Sequence, residues 1–331
     1  MLQPTRNRTV PEIRLFSDRP SIKGKKARTK GKPGGVKSLL VPVDFSEAAH
    51  KAVDWAVSFA KQTGARIDLV HVIEPRRLFH DTNPAFLAWD RQVMAEARRL
   101  LNATDRNAIG GKLSVHKEIR IGNPCREICE MAKARNNDLL VISTHGFTGL
   151  KHLVLGSTTE KVVRYAPCSV LVVRGRGPNG ESALFSPKKI LVPTDFSNGS
   201  TKALRYAVEF ATQFQAELFI VHVVHGLCGL RNNYEVDKRR LDSELKNAGE
   251  KELETLITAL SSAKVSARTI LRHGIAAREI ARTARELGSD LILISSQGRT
   301  GWKRALLGST TEEVVRRACC PVLVFRARKK T

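Results

Sequence analysis

Two hydrophobic patterns alternate along the chain. Short unbroken apolar runs give way to longer stretches whose apolar residues recur every three or four positions. The short runs predict strands buried on both faces, and the longer stretches predict amphipathic helices. A first strand is expected over residues 38–44. A helix follows, with Ala49, Ala52, Val53, Ala56, Val57 and Ala60 at helical spacing and Ser46 placed to cap it. Further strands are expected at 66–73, 113–121, 138–143 and 169–173. Between them the pattern predicts a helix over 84–108, with Leu87, Met94 and Leu101 among its apolar positions. Another is opened by Asn123 and Pro124 and carries Cys125, Ile128, Cys129 and Ala132 on one face. A last one begins at Ser157.

The order then restarts. Leu-Val-Pro-Thr-Asp-Phe-Ser at 191–197 repeats Leu-Val-Pro-Val-Asp-Phe-Ser at 40–46, and Val221-His-Val223 repeats Val70-His-Val72. Residues 290–295 and 322–324 repeat the fourth and fifth strands. Asp44 and Asp195 are 151 positions apart, and Gly146 and Gly298 are 152 apart. One residue was gained in the middle of the repeat, where surface helix and loop tolerate it. The chain therefore divides into a basic tail over 1–37, expected to be disordered, one domain over 38–174, a Gly/Pro/Ser-rich linker over 175–188, a second domain over 189–326, and a basic end over 327–331. Strands alternating with helices make right-handed parallel βαβ units. The expected fold class is α/β, with two doubly wound five-stranded parallel-sheet domains, Rossmann-like, of strand order 3-2-1-4-5. Such sheets take ligands beyond the carboxyl ends of the strands, where the strand order reverses.

One segment occurs twice at that place. Ser143-Thr-His-Gly146 leads to Gly156-Ser-Thr-Thr-Glu160, and Ser295-Ser-Gln-Gly298 leads to Gly308-Ser-Thr-Thr-Glu312. Glycines let backbone N–H groups approach phosphate oxygens, and a helix opening at Ser157 or Ser309 adds free N–H groups and a positive dipole end. Asp44, at the end of the first strand, suits a ribose hydroxyl. A ligand-free reading stands beside this one. Ser157-x-x-Glu160 and Ser309-x-x-Glu312 have the spacing of capping boxes, and Asp44-x-Ser46 that of an ordinary cap. His145 and Lys151 could assist a phosphate, but Gln297 and Lys303 hold those positions in the second copy, so no histidine base is common to both.

Net charge is +24, of which residues 1–37 supply +9 through eleven Lys or Arg against two acids. Such a tail could contact polyanions weakly. The Gly24 to Gly31-Lys32 stretch is not a Walker loop: six residues separate its glycines and Pro33 stands where Ser or Thr would hold magnesium. No apolar run is long enough to cross a membrane and no secretory segment opens the chain, so a cytoplasmic protein is expected. His71 and His222 lie inside apolar strands and read as structural. The six cysteines show no Cys-x2-Cys spacing and read as buried thiols, with a redox or metal role as the lesser option. No histidine pairing of metal type and no nucleophile elbow occurs. Aromatics are 5% of residues, too few for a single-strand stacking platform.

Taken together, the Val-Pro-(Val/Thr)-Asp-Phe-Ser opening, the Val-His-Val strand and the (His/Gln)-Gly-x9-Gly-Ser-Thr segment resemble the universal stress protein family, over residues 38–174 and again over 189–326. The resemblance implies a stress-response sensor or regulator that binds ATP, with or without Mg2+, and at most hydrolyses it slowly. It assigns Gly146, Gly156 and Ser157, and likewise Gly298, Gly308 and Ser309, to the phosphates. It puts Pro42, Asp44, Pro193 and Asp195 on the adenosine side, and the backbone at Val72 and Val223 against adenine. Val43, Thr194, Thr158, Thr310, His145 and Gln297 complete the expected sites. Ser143 and Ser295 stand where the nucleotide-binding branch has a glycine, and such a side chain either crowds the phosphates or adds a donor. The resemblance also implies pairing through fifth strands, here between the two repeats of one chain or in a homodimer. A nucleotide-free interaction protein of the same fold, and a nucleic-acid-associated protein acting through its tail, are the rival readings.

Overall fold

The computed structural model describes residues 35–75, 84–104, 113–144, 155–174, 185–225, 238–261, 263, 265–298 and 307–327. The tail through residue 34, linker residues 175–184, His145, Gly146 and residues 328–331 lie outside the described residues.

The first repeat runs β1 (Ser38–Pro42), α1 (Glu47–Thr63), β2 (Arg66–Ile73), α2 (Pro84–Ala103), β3 (Val115–Ile121), α3 (Pro124–Ala134), β4 (Leu139–Ser143), α4 (Ser157–Tyr165) and β5 (Ser169–Val173). The second runs β6 (Lys189–Thr194), α5 (Asn198–Phe214), β7 (Glu217–Val224), α6 (Lys238–Leu260), β8 (Ala267–His273), α7 (Ala276–Leu287), β9 (Leu291–Ser295), α8 (Ser309–Arg317) and β10 (Val322–Phe325). Several expected ends move inward, and β3 begins at Val115 instead of 113. β1 stops at Pro42, leaving Val43 and Asp44 in the turn beyond it, and α2 stops at Ala103 instead of 108. Asp138 is not in β4: its carboxylate accepts the backbone N–H groups of Lys37 (2.8 Å) and Ser38 (2.9 Å), pinning the start of β1.

All ten strands form one sheet, in the order β3-β2-β1-β4-β5-β10-β9-β6-β7-β8. Each half thus has the order 3-2-1-4-5, and every pairing is parallel except β5 with β10, which is antiparallel. Val170, Leu171 and Val172 face Val324, Leu323 and Val322 there, so the last strand of each repeat covers the open edge of the other.

Alternation along the strands divides the core into two layers. Leu39, Val41, Leu69, Val141 and Leu171 point to the side covered by α1, α2, α5 and α6. Leu40, Val70, Leu140, Ile142 and Val172 point to the side covered by α3, α4, α7 and α8. The first layer runs unbroken across both repeats. Its junction is aromatic: Phe59 lies 6.2 Å from Phe210 and 5.7 Å from Phe214, centroid to centroid. Phe185, 3% exposed, wedges among them and 4.2 Å from Trp55. The end of the expected linker is therefore part of the core. Its Gly/Pro/Ser composition hid this because one aromatic does the packing.

The sheet opens at the points that matter for a ligand. β1 pairs with β2 at five positions but with β4 at only two, Leu39 with Leu139 and Leu40 with Leu140. β6 and β9 likewise pair at only two. Beyond them the strands part toward their carboxyl ends. Pro42 and Pro193, which have no N–H to give a ladder, stand in that stretch.

Candidate functional site

The turn after β1 is built to project Asp44 into the gap. Phe45 has φ of 64° and Phe196, its counterpart, 60°. A left-handed conformation costs a non-glycine residue about 1–2 kcal/mol, so something must hold it. His71 does so in the first repeat. Its ring lies 4.4 Å from that of Phe45, and its Nδ1–H donates to the carbonyl of Val43 at 2.7 Å. His222 repeats both contacts, with Phe196 at 4.4 Å and the carbonyl of Thr194 at 2.9 Å. The two strand histidines are structural, as expected, and the structure they hold is the turn beside the gap. Asp44 Oδ1 accepts the N–H of Ser46 (3.1 Å) and its hydroxyl (2.6 Å), while Ser46 Oγ accepts the N–H of Ala49 (3.2 Å) and caps α1. Asp195 Oδ1 accepts from the Ser197 N–H at 3.1 Å.

On the far side of the gap, the two helix starts correct the capping-box reading. The N-cap of α4 is Gly156 and that of α8 is Gly308, and neither has a side-chain cap. Ser157 and Ser309 are the first residues inside their helices. Glu160 and Glu312 reach across the repeats instead: Glu160 pairs with Arg316 at 2.9 Å and Glu312 with Arg164 at 2.9 Å. The Ser-x-x-Glu spacing therefore serves two separate ends. Thr159 Oγ1 donates to the carbonyl of Ser143 at 2.8 Å, and Thr311 to that of Ser295 at 2.8 Å, tying each helix to the strand before it.

Between these walls lies one cavity per repeat. The first, of about 400 Å³, is lined by Pro42, Val43, Asp44, Val72, Ser143, Gly156, Ser157 and Thr158. The second, of about 250 Å³, is lined by Pro193, Thr194, Asp195, Val223, Ser295, Gly298, Gly308, Ser309 and Thr310. Among the described residues, Gln297 is the expected site residue that does not line its cavity. Its carbonyl accepts the Ser295 hydroxyl at 2.7 Å and packs against Gly199, where a Cβ would collide with it. Ser295 thus donates its proton within the loop. Gly298 sits where a Cβ would come within 2.7 Å of Asp195 Oδ2, so glycine there lets the loop reach the carboxylate.

Several participants were missed. Ile128 and Ile280 line the apolar sides of the two cavities, and Glu74 stands at the edge of the first. Helical periodicity marks the isoleucines as core residues and says nothing of a cavity. Phe45, Phe196, Thr159 and Thr311 carried a signal, since each recurs in the second copy, but repetition alone does not reveal a strained turn or a helix tie.

A family model for the universal stress protein family matches twice, over residues 35–174 and 187–326. The chain belongs to the universal stress protein family, as a tandem of two repeats. Single-repeat relatives align with about half of it. Universal stress protein MJ0531 of Methanocaldococcus jannaschii is 34% identical over 152 residues, 46% of this chain and 88% of the relative. Universal stress protein YxiE of Bacillus subtilis is 37% identical over 145 residues, 42% of this chain and 98% of its own length. Among solved structures, a universal stress protein from Archaeoglobus fulgidus covers 88% of this chain and 97% of its own, with a TM-score of 0.57 at 22% identity. That likeness speaks to the fold. Among the described residues, no group of three or more His, Cys, Asp or Glu is arranged to hold a metal ion, and no helix is long and apolar enough to cross a membrane.

Proposed function

We propose that this chain is a cytoplasmic stress-response regulator that binds adenine nucleotide, ATP in the first instance, in each repeat. One observation carries the reading. Residues from four separate segments of each repeat, which the family resemblance assigns to ATP, line one cavity where the central strands part. The chemistry fits the assignment. The first turns of α4 and α8 offer N–H groups and the hydroxyls of Ser157, Thr158, Ser309 and Thr310 to phosphate oxygens. Asp44 and Asp195 offer carboxylate oxygens to ribose hydroxyls. The strand ends at Val72 and Val223, with Ile128 and Ile280, offer an apolar slot with backbone polar groups for a purine. Mg2+ would accompany the phosphates and is not required by this assignment.

The test is direct. Purified protein is denatured and the released small molecules are identified and counted by mass spectrometry, and emptied protein is then titrated with ATP by calorimetry. One or two adenine nucleotides per chain support the reading. No release and no binding heat overturn it. They favour a nucleotide-free interaction protein, a reading for which the Ser46 hydroxyl bound to Asp44 at 2.6 Å already speaks.

A further inference from the structure

The walls of the two cavities correspond over most of their length. Val72 and Ile128 on the apolar side of the first recur as Val223 and Ile280 in the second, and Pro124 gives way to the smaller Ala276. Glu74 stands only at the exposed edge of the first. The helix starts match as well. The Gly156 N–H donates to the carbonyl of Thr144 at 2.8 Å, and the Gly308 N–H to that of Ser296 at 3.0 Å. The second cavity nevertheless holds about 250 Å³ against about 400 Å³ in the first.

The chain leaving β9 narrows the second cavity. The Ser295 hydroxyl donates to the carbonyl of Gln297 at 2.7 Å, and that carbonyl lies against the first turn of α5 at Gly199. A Cβ on Gly199 would stand 2.4 Å from the carbonyl oxygen, closer than any side chain tolerates, so glycine is what admits it. The next residue, Gly298, is thereby drawn between the two walls. A Cβ there would stand 2.7 Å from Asp195 Oδ2, and its amide nitrogen is 4.0 Å from where a Cβ on Gly308 would be. Gly298 thus stands between the carboxylate offered to ribose and the helix start offered to phosphate. Ala48 holds the position of Gly199 in the first repeat. Its methyl fills the space that the Gln297 carbonyl takes, so this packing is open to the second repeat alone.

We infer that the two sites take nucleotides of different length, a nucleoside triphosphate in the first and a nucleoside monophosphate by preference in the second, and that Gly199 sets the difference. The inference rests on the adenine-nucleotide reading above and narrows it for the second repeat. There, ribose hydroxyls reach Asp195 while a single phosphate reaches the N–H groups of α8 and the hydroxyls of Ser309 and Thr310. Further phosphates would have to displace Gly298, and with it the carbonyl packed on Gly199. These are backbone groups, which cannot swing aside as a side chain does. The volumes agree. Small-molecule sites hold roughly 300–1,000 Å³, a range that includes the first cavity and excludes the second.

The experiment uses the full chain, emptied of ligand, in two single-site forms. Gly308→Val leaves the first site. Gly156→Val leaves the second, and the φ of −58° at Gly156 suits any residue. Each form is titrated by calorimetry with ATP and with AMP. The first site should favour ATP and the second AMP, each by roughly tenfold. Gly199→Ala in the second-site form should erase the AMP preference. The same substitution in the otherwise unaltered chain should leave ATP binding at the first site intact, which shows that the chain is folded. Equal preference for ATP at both sites overturns the inference and leaves the nucleotide reading standing, and so does an AMP preference that survives Gly199→Ala. Absence of any nucleotide from both sites overturns the two together. Should Gly199→Ala fail to fold, the ratio of ATP to AMP affinity at the two unaltered loops decides.

Discussion

A Cβ built on Gly308 would meet nothing closer than 3.7 Å, and its backbone φ of −64° suits any residue. The glycine is therefore not demanded by the fold, and what a side chain there would fill is the cavity. Gly308→Val should leave thermal stability within about 0.5 kcal/mol, the range of ordinary surface changes, and abolish nucleotide binding in the second repeat, read by calorimetry as one site lost. Unchanged stoichiometry would remove Gly308 from the site. Gly298 behaves differently: its substituent would press on Asp195 at 2.7 Å, so Gly298→Ala should weaken ribose recognition by turning the carboxylate away. Single positions also explain the limits of motif reading. Ser295 in place of a glycine raised the question of crowding, and its hydroxyl turns out to be committed to the carbonyl of Gln297.

Helix starts of two kinds occur in this protein, and they carry different predictions. α3 begins with Asn123, whose side chain accepts the N–H of Arg126 at 3.2 Å, followed by Pro124 at the first helical position. This is a structural cap, and Asn123→Ala should cost about 1 kcal/mol in denaturant unfolding. α4 begins at Gly156 with no side-chain cap. Ser157→Ala should therefore cost well under that amount, while lowering ATP affinity at the first site by about tenfold, the equivalent of ~1.4 kcal/mol. Equal destabilisation by the two substitutions would restore the capping reading of Ser157. The strands show the same division. Their apolar alternation is visible in the chain, but the splaying of β1 from β4 is a property of the pair and has no trace in either strand beyond Pro42.

Among the described residues the ten strands form one sheet with two cavities, and the contacts that join its halves include three kinds with separable contributions. The antiparallel β5–β10 pair supplies the backbone ladder. The aromatic cluster supplies apolar packing across the junction, and Phe185→Ala should cost about 3–5 kcal/mol, as large core truncations do. Trp55 fluorescence would report that loss, since the two rings are 4.2 Å apart. A change confined to local fluorescence, with no shift in the unfolding midpoint, would show that the repeats pair without the wedge. The ring of Glu160, Arg164, Glu312 and Arg316 is partly exposed, with side chains between 23% and 44% accessible. A double-mutant cycle on Arg164→Met and Glu312→Gln should return about 0–1 kcal/mol. Its part is alignment of the two helix starts more than stability.

The periodicity of the chain determined the elements, their order and the fold class, because burial on one or both faces leaves a mark every second, third or fourth residue. The repeat determined that most of the candidate site residues of one half recur in the other, with Gln297 in place of His145. Tertiary structure alone decided that the two halves share a sheet, that Phe185 belongs to the core, that Glu160 and Glu312 pair across the repeats, and that Cys319 is exposed while Cys320 is buried. Each of these depends on residues more than a hundred positions apart or on neighbours from another element. Local sequence holds no record of such distances, and the cavity itself exists only where two strands, correctly foretold one by one, separate.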